Sequence, residues 1–188
     1  VIEVLPRLRE RFPDLVYLVV GGAGPEGDWE ARLREQARAL GVAEAVRFLG
    51  PMEPEALRVP LSAADLFVLA TRNEGWANVF LEAMACGLPV VTTDVGGNRE
   101  VVDRTDLGRV VPFGDANALV DVLGEGLTVS WDRMRICAFA KDNCWEERIK
   151  GLVFEIWSVA LKKTRSKGQC GFIQGLEGWD HQAEDDNP

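Results

Sequence analysis

Two glutamates, Glu74 and Glu82, flank the start of a short apolar helix pattern. Glu82 falls eight residues after Glu74, about two turns along a helix that repeats every ~3.6 residues. A carboxylate in the apolar run 79–85 is costly unless something binds it, and a ribose diol or sugar hydroxyls are suitable hydrogen-bond donors. The alternative is that Glu82 lies on an exposed helix face and that Glu74 only favours the helix N-terminus. Spacing alone leaves both interpretations open.

Residues 75–79 join these two acids and lead from a loop into the helix. The first backbone N–H groups of a helix have no intrahelical partner, and the helix dipole favours negative charge beside them. The segment also follows an apolar run at residues 66–70, which predicts a strand. Ligands bind at the carboxyl ends of strands in open α/β sheets, so the pattern predicts an anion site at this helix N-terminus.

A glycine-rich segment elsewhere in the chain contains Gly22, Gly24 and Gly27 in a G-x-G-x-x-G pattern after a predicted strand. A dinucleotide site would also need an acidic residue at the end of the next strand, which instead ends in Gly50-Pro51. Pro25 also lacks the amide that a pyrophosphate would use. A dinucleotide-dependent oxidoreductase is therefore disfavoured, although Gly22 and Gly24 still allow a ligand to approach the backbone closely.

The elements that must position these residues alternate along the chain. Apolar, β-branched runs predict strands at residues 16–20, 46–49, 66–70, 90–93 and 109–111. Helix patterns cover residues 1–11, 28–40, 54–64, 78–86, 115–123, 131–140 and 145–161. Continuously apolar strands are typical of a sheet buried on both faces, so the alternation predicts an α/β fold with a doubly wound, mostly parallel sheet.

The two ends of the chain depart from this alternation. No strand precedes the helix at residues 1–11, so the sheet is expected to lack its first strand. That strand would occupy the centre of a doubly wound sheet, and its neighbours should lack a ladder partner. One domain is expected over residues 1–161, and the tail at residues 162–188 is expected to be disordered or loosely docked.

The composition excludes several classes of protein. The 188 residues carry 21 Lys and Arg against 30 Asp and Glu, and this net charge of −9 argues against a nucleic-acid binder. No apolar run is long enough to span a bilayer. One histidine and four cysteines without a C-x-x-C pair offer neither a zinc site nor a histidine-activated nucleophile. Thiols without a secretion signal fit a reducing, cytoplasmic location.

The run from Glu74 to Val102 resembles the signature of glycosyltransferase family 4, also called glycosyl transferases group 1. Glu74 and Glu82 match its E-x7-E motif, and shorter matches follow the family order at residues 22–25, 46–50, 64–68, 111–115 and 144–146. The resemblance covers about residues 1–160. It implies the Rossmann-like, C-terminal, donor-binding half of the two-domain GT-B fold. The implied enzyme is retaining and transfers a sugar from a nucleotide diphosphate sugar, without a metal or other cofactor.

The resemblance also implies a role for each residue of the site. Glu74 would be the catalytic residue nearest the transferred sugar and its phosphate, and Glu82 would hold the ribose diol. Backbone at Arg47 and Phe48 would contact the nucleobase edge. Gly22 and Gly24 would complete the nucleotide-sugar-binding set. The amides that would bind the sugar hydroxyls and the diphosphate are those of Gly75, Trp76, Ala77, Asn78 and Val79.

Two parts of the family pattern are missing from this sequence. A strand with a Gly-Arg loop and a Lys, the cations that clamp the diphosphate, would precede Val1, and so would the acceptor-binding domain. We therefore expect the isolated chain to be inactive, with an N-terminal acceptor domain encoded in the same gene or in another chain. The alternative is a non-catalytic nucleotide-sugar-binding or interaction module completed by a partner chain. The donor nucleotide is left open between UDP, GDP and ADP.

Overall fold

The computed structural model describes residues 1–22, 27, 29–75 and 77–166. Gly24, Trp76 and most of the predicted tail lie outside the described residues. The chain divides into two compact units, Val1–Cys144 and Trp145–Pro188. All the strands and the whole E-x7-E segment belong to the first unit.

The first unit alternates helices and strands as the sequence predicts. Its strands are β1 (Tyr17–Val20), β2 (Val46–Gly50), β3 (Phe67–Leu69), β4 (Val90–Thr93) and β5 (Gly108–Val111). Its helices are α1 (Leu5–Arg11), α2 (Glu30–Ala39), α3 (Pro54–Ala63), α4 (Asn78–Ala85), α5 (Asn98–Val101), α6 (Ala116–Gly126) and α7 (Arg133–Asp142), with 3₁₀ turns at Ile2–Val4 and Ala43–Ala45. Each predicted strand begins and ends within one residue of its predicted bounds. Of the α-helices described in this unit, α5 alone was not predicted, because a single turn is too short to show a helical period.

The second unit contains one described helix, α8 (Trp145–Ser166). It continues five residues beyond the predicted end at Leu161, because the Lys and Arg residues that follow are good helix formers. No helix in the described part of the chain combines the length and the apolar character needed to cross a bilayer.

All strand pairs are parallel, but the ladder is divided into two sheets, β1–β2 and β3–β4–β5. Among the described residues, β1 pairs only with β2 and β3 pairs only with β4. The strands β1 and β3 are accordingly half-exposed over most of their length, whereas β4 is buried at all its positions. The single sheet suggested by the alternation is thus broken, and the break leaves two strands without a second ladder partner, as predicted.

Helices cover both faces of the three-stranded sheet. Phe67, Leu69, Val90 and Val110 pack in a core with α4 and α7. Their neighbours along the strands, Val68, Val91 and Val111, pack in a second core with α1 and α6. Because successive residues of a strand point to opposite faces, these two cores confirm a doubly wound α/β arrangement.

The N-terminal segment of residues 2–8 links the two sheets. Ile2 and Leu5 pack in the core that covers β1 and β2, together with residues of α2. Val4 and Leu8 pack instead in the core between the three-stranded sheet and α6. Leu15 contacts both cores. One short helical segment therefore contributes apolar area to both sheets.

Candidate functional site

The site loop, residues 70–75 and 77, leaves the carboxyl end of β3 and leads into α4. The neighbouring strand β4 ends in the glycine loop, residues 94–97, which leads into α5. These two loops are in direct contact, since the Gly97 N–H donates a hydrogen bond of 3.0 Å to the Gly75 carbonyl oxygen. The carboxyl ends of two adjacent parallel strands thus form one surface, the position predicted for a ligand site.

Glu74 is half-buried within the site loop. Its Oε1 accepts a hydrogen bond of 3.2 Å from the N–H of Gly75. The turn before it is closed by the Thr71 hydroxyl, which donates to the Asn73 carbonyl oxygen at 2.9 Å. The Gly75 amide, predicted as a donor to a ligand, is therefore held by the Glu74 carboxylate in this structure.

The N-terminus of α4 has neither a side-chain cap nor an acidic residue in its first turn. Ala77 is its N-cap residue, in extended backbone. Each of the other described helices of eight or more residues has either an acidic residue in its first turn or a side-chain cap. The acidic residues are Glu30 in α2, Glu55 in α3 and Glu146 in α8, and the caps are Asp115 before α6 and Asp132 before α7. The dipole of α4 is thus left without a negative group in its first turn, which is the arrangement expected of an anion-binding helix.

Glu82 lies on the exposed face of α4, one turn from Asn78, which is also exposed. The opposite face carries Phe80, Ala83 and Met84, all fully buried. The Glu82 carboxylate makes no hydrogen bond or ion pair within the described residues. The interpretation of Glu82 as a residue on an exposed helix face is therefore confirmed as to its exposure. The same exposure leaves the carboxylate accessible to a ligand.

The predicted nucleobase contact lies on the other sheet. Arg47 is exposed on β2, and its Nη1 donates to the Glu44 carbonyl oxygen. The Phe48 ring packs in the β1–β2 core, with the Arg34 guanidinium 4.2 Å from the ring centroid. The register with β1 skips Leu49, so a bulge follows Phe48 directly. Bulges leave a residue outside the ladder and are frequent beside active sites, but a single sequence carries no signal for them.

The structure gathers only part of the predicted site. Glu74, Gly75, Ala77, Asn78, Val79 and Glu82 belong to the site loop and α4. Arg47 and Phe48 lie on β2 and Gly22 follows β1, in the other sheet. No hydrogen bond or ion pair joins these three residues to the site loop among the described residues. A groove of about 620 Å³ beside Trp29 is lined by none of the predicted site residues.

The glycine loop and the residues around it were not predicted to belong to the site. Gly96 has a φ of +51°, and a Cβ atom at this position would lie 1.6 Å from the Glu74 carbonyl oxygen. Asn98 is fully buried directly after the loop. Asp94 begins the loop, and hydrogen bonding to Arg99 holds the pKa of this carboxyl below its ordinary value. The Gly-Gly pair after a predicted strand was the available signal for a close contact at this edge.

Comparison with known proteins finds glycosyltransferases both in the matching family and among the similar proteins. Residues 1–138 match the family described as Glycosyl transferases group 1. The D-inositol 3-phosphate glycosyltransferase of Corynebacterium urealyticum is 36% identical over 159 residues, which cover 81% of this chain and 38% of that protein. The GDP-mannose-dependent alpha-(1-6)-phosphatidylinositol monomannoside mannosyltransferase of Mycolicibacterium smegmatis is 36% identical over 164 residues, which cover 80% of this chain and 41% of that protein.

Among solved structures, the sucrose-phosphate synthase from Thermosynechococcus elongatus is similar, with a TM-score of 0.65 and 29% identity. The match covers 85% of this chain and 42% of that chain. The chain thus spans about two fifths of the length of these relatives.

Proposed function

The chain belongs to the glycosyl transferases group 1, and on this premise we propose that it binds a nucleotide diphosphate sugar as the donor-binding part of a glycosyltransferase. The observation that carries the proposal is the N-terminus of α4, which has no cap and no acidic residue in its first turn. It follows the carboxyl end of β3, directly after Glu74 and the site loop. An anionic ligand placed there would meet unpaired amides and the positive end of the helix dipole.

The same arrangement suits the chemistry of sugar transfer. When the bond between the anomeric carbon and the diphosphate breaks, negative charge develops on the leaving diphosphate. Amides fixed at the start of α4 would stabilise that charge without a metal ion. Glu74 would accept hydrogen bonds from the sugar hydroxyls and orient the donor. We propose transfer with retention by attack on the same face of the sugar, so Glu74 need not act as a nucleophile.

Glu82 would hold the ribose of the nucleotide. Its carboxylate is exposed and makes no hydrogen bond within the described residues, so both of its oxygens can accept from a vicinal diol. Glu82 lies one turn beyond the start of α4, so the ribose would lie beside the diphosphate.

The donor and the remaining parts of the enzyme also belong to the proposal. GDP is the first nucleotide to test because the Mycolicibacterium smegmatis relative is named as GDP-mannose-dependent. UDP and ADP remain the alternatives. Since the chain spans about two fifths of its relatives, we propose that transfer requires a separate acceptor-binding part, in the same gene or in another chain. The isolated chain should therefore bind the donor without transferring the sugar.

The test is a titration of the chain with GDP, UDP, ADP and NAD, followed by amide resonances in NMR spectra. We expect at least one nucleoside diphosphate to shift the amides of residues 75–79. Glu82→Ala should weaken that binding by about 2–3 kcal/mol, roughly 30–150-fold, because two hydrogen bonds to a charged acceptor are lost. Asp121→Ala is the matched control, since Asp121 is an exposed carboxylate on α6 with no hydrogen bond or ion pair within the described residues.

Two results would contradict the proposal. One is a shift of Gly22 and Gly27 by NAD with no response to any nucleoside diphosphate, which would favour the oxidoreductase alternative. The other is an equal loss of nucleotide affinity in Glu82→Ala and Asp121→Ala, which would mean that the binding does not depend on the position of the carboxylate.

A further inference from the structure

Asn98, the first residue of α5, is a fully buried amide directly behind the glycine loop. Its Nδ2 donates to the Thr92 hydroxyl at 2.9 Å and to the Thr93 carbonyl oxygen at 3.0 Å. The Thr92 hydroxyl donates its own hydrogen bond to the Leu69 carbonyl oxygen at 2.9 Å. Toward Asn98 it can therefore act only as an acceptor. Both partners therefore require a donor, and this fixes the orientation of the amide.

The oxygen of the same amide, Oδ1, has no hydrogen-bond partner in the part of the chain that the structure describes. A buried carbonyl without a donor is unfavourable, and an apolar side chain of similar shape would avoid that cost. The contribution of Asn98 to the structure therefore lies in its two N–H groups.

These hydrogen bonds continue from β4 to the site loop. The Thr92 hydroxyl contacts the last residue of β3, and the Thr93 hydroxyl donates to the Thr71 carbonyl oxygen at 2.6 Å. Thr71 lies three residues before Glu74, and its own hydroxyl closes the turn at Asn73. The first half of the site loop is thus joined to β4 and, through β4, to Asn98.

The second half of the site loop is held by the glycine loop itself. Gly97 donates from its N–H to the Gly75 carbonyl oxygen at 3.0 Å. A Cβ atom placed on residue 96 would lie only 1.6 Å from the Glu74 carbonyl oxygen, so there is no space for a side chain at this position. Gly96 also has a φ of +51°, a backbone conformation that residues other than glycine rarely adopt. Two independent requirements, conformation and space, therefore restrict position 96 to glycine.

We propose that Asn98 and Gly96 are positioning residues for the donor site, which hold the site loop from both sides so that Glu74 and Gly75 are ordered before the ligand arrives. This inference rests on the proposed function, because it assumes that this loop binds the nucleotide sugar. A loop that must be ordered by its ligand spends part of the binding free energy on that ordering. Loosening either contact should therefore weaken nucleotide binding without changing any group that touches the nucleotide.

The experiment compares Gly96→Ala with Gly41→Ala in the full chain. Gly41, after α2, also has a positive φ, of +69°, but a Cβ atom there would meet nothing within 4 Å. The two variants share the backbone strain and differ in the contact with the site loop. Asn98→Asp provides a test from the other side, because it keeps the shape of the side chain and replaces the N–H donor by an acceptor.

Two quantities are measured for each variant: the affinity for GDP by calorimetry, and the exchange rate of the Gly75 amide by NMR. We expect Gly96→Ala and Asn98→Asp to bind GDP at least tenfold more weakly than Gly41→Ala, and to exchange the Gly75 amide at least tenfold faster. Gly96→Ala should remain folded, with a thermal midpoint below that of Gly41→Ala, because its Cβ atom displaces the backbone at Glu74. Faster exchange confined to residues 71–75 is a signature that a general loss of stability would not produce.

Unchanged GDP affinity and unchanged Gly75 exchange in folded Gly96→Ala would overturn this inference. If Asn98→Asp does not fold, the comparison of the two glycine variants decides the question alone. Failure of the unmodified chain to bind GDP, UDP or ADP would refute the proposed function instead. The exchange of Gly75 would still report whether the glycine loop orders the site loop.

Discussion

Phe80 connects the candidate site to the core, and its truncation should reveal how firmly α4 is held. The ring is fully buried in the first turn of α4. It meets the Phe67 ring of β3 edge to face, with the centroids 6.2 Å apart and the ring planes at 75°. The N-terminus of α4 and the strand that carries the site loop are thus joined by one aromatic pair.

The expected loss of stability follows from this burial. Removing a fully buried phenylalanine ring costs about 3–5 kcal/mol, since the transfer free energy is lost and a cavity remains. Phe80→Leu keeps much of the apolar volume but loses the aromatic pair, so its cost should be about 1–2 kcal/mol. Domains of this kind are stable by about 5–15 kcal/mol, so Phe80→Ala should remove a large share of the total.

Urea denaturation followed by circular dichroism measures these differences. With a denaturant dependence of about 2 kcal/mol/M, Phe80→Ala should lower the midpoint by about 2 M and Phe80→Leu by less than 1 M. Val59→Ala is the control, because Val59 is 69% exposed on α3 and its truncation should change stability by about 0.5 kcal/mol or less. A loss below about 1 kcal/mol in Phe80→Ala would refute the packing of α4 against β3 described above.

Two further predictions concern the ends of other elements. The Asp115 side chain accepts a hydrogen bond of 2.9 Å from the Ala118 N–H, so Asp115→Ala should destabilise by about 0.5–2 kcal/mol in the same assay. Asp115→Asn retains the acceptor and should be nearly neutral; an equal loss in both variants would exclude the cap. The Arg99 guanidinium holds the pKa of folded Asp94 below its ordinary value of 3.8, so this pair stabilises the fold above about pH 4 and the stabilisation is lost as the pH falls through the lowered pKa. Asp94→Asn should therefore reduce the loss of stability on acidification below about pH 4, measured by urea midpoints. An unchanged pH profile would contradict this role.

Local sequence pattern was sufficient for the strands and for every described α-helix of the first unit except α5. The run at residues 90–93 is apolar throughout because β4 is covered on both faces, and this same property makes it recognisable in the sequence. Asp115 caps α6 as its residue type and position predict. The placement of Glu74 before α4 and of Glu82 within it followed in the same way from a helical period.

Contacts between segments that are distant in the chain could not be predicted from local sequence pattern. The bulge after Phe48 depends on how β2 pairs with β1, and a propensity argument contains no information on register. The contact of Gly96 with the Glu74 carbonyl joins two loops that follow different strands. The exposure of Glu82 also depends on which face of α4 meets the sheet, and its position in an apolar run left that question open.

The N-terminal segment that links the two sheets has a consequence for folding during synthesis. Arg7 of α1 donates a hydrogen bond of 2.7 Å to Asn117 of α6, a partner 110 residues further along the chain. At about 5–20 residues per second, the ribosome needs on the order of 5–20 s to make that partner. For this time Val4 and Leu8 lack the α6 side of their core, so these apolar side chains stay partly uncovered long after they have been synthesised.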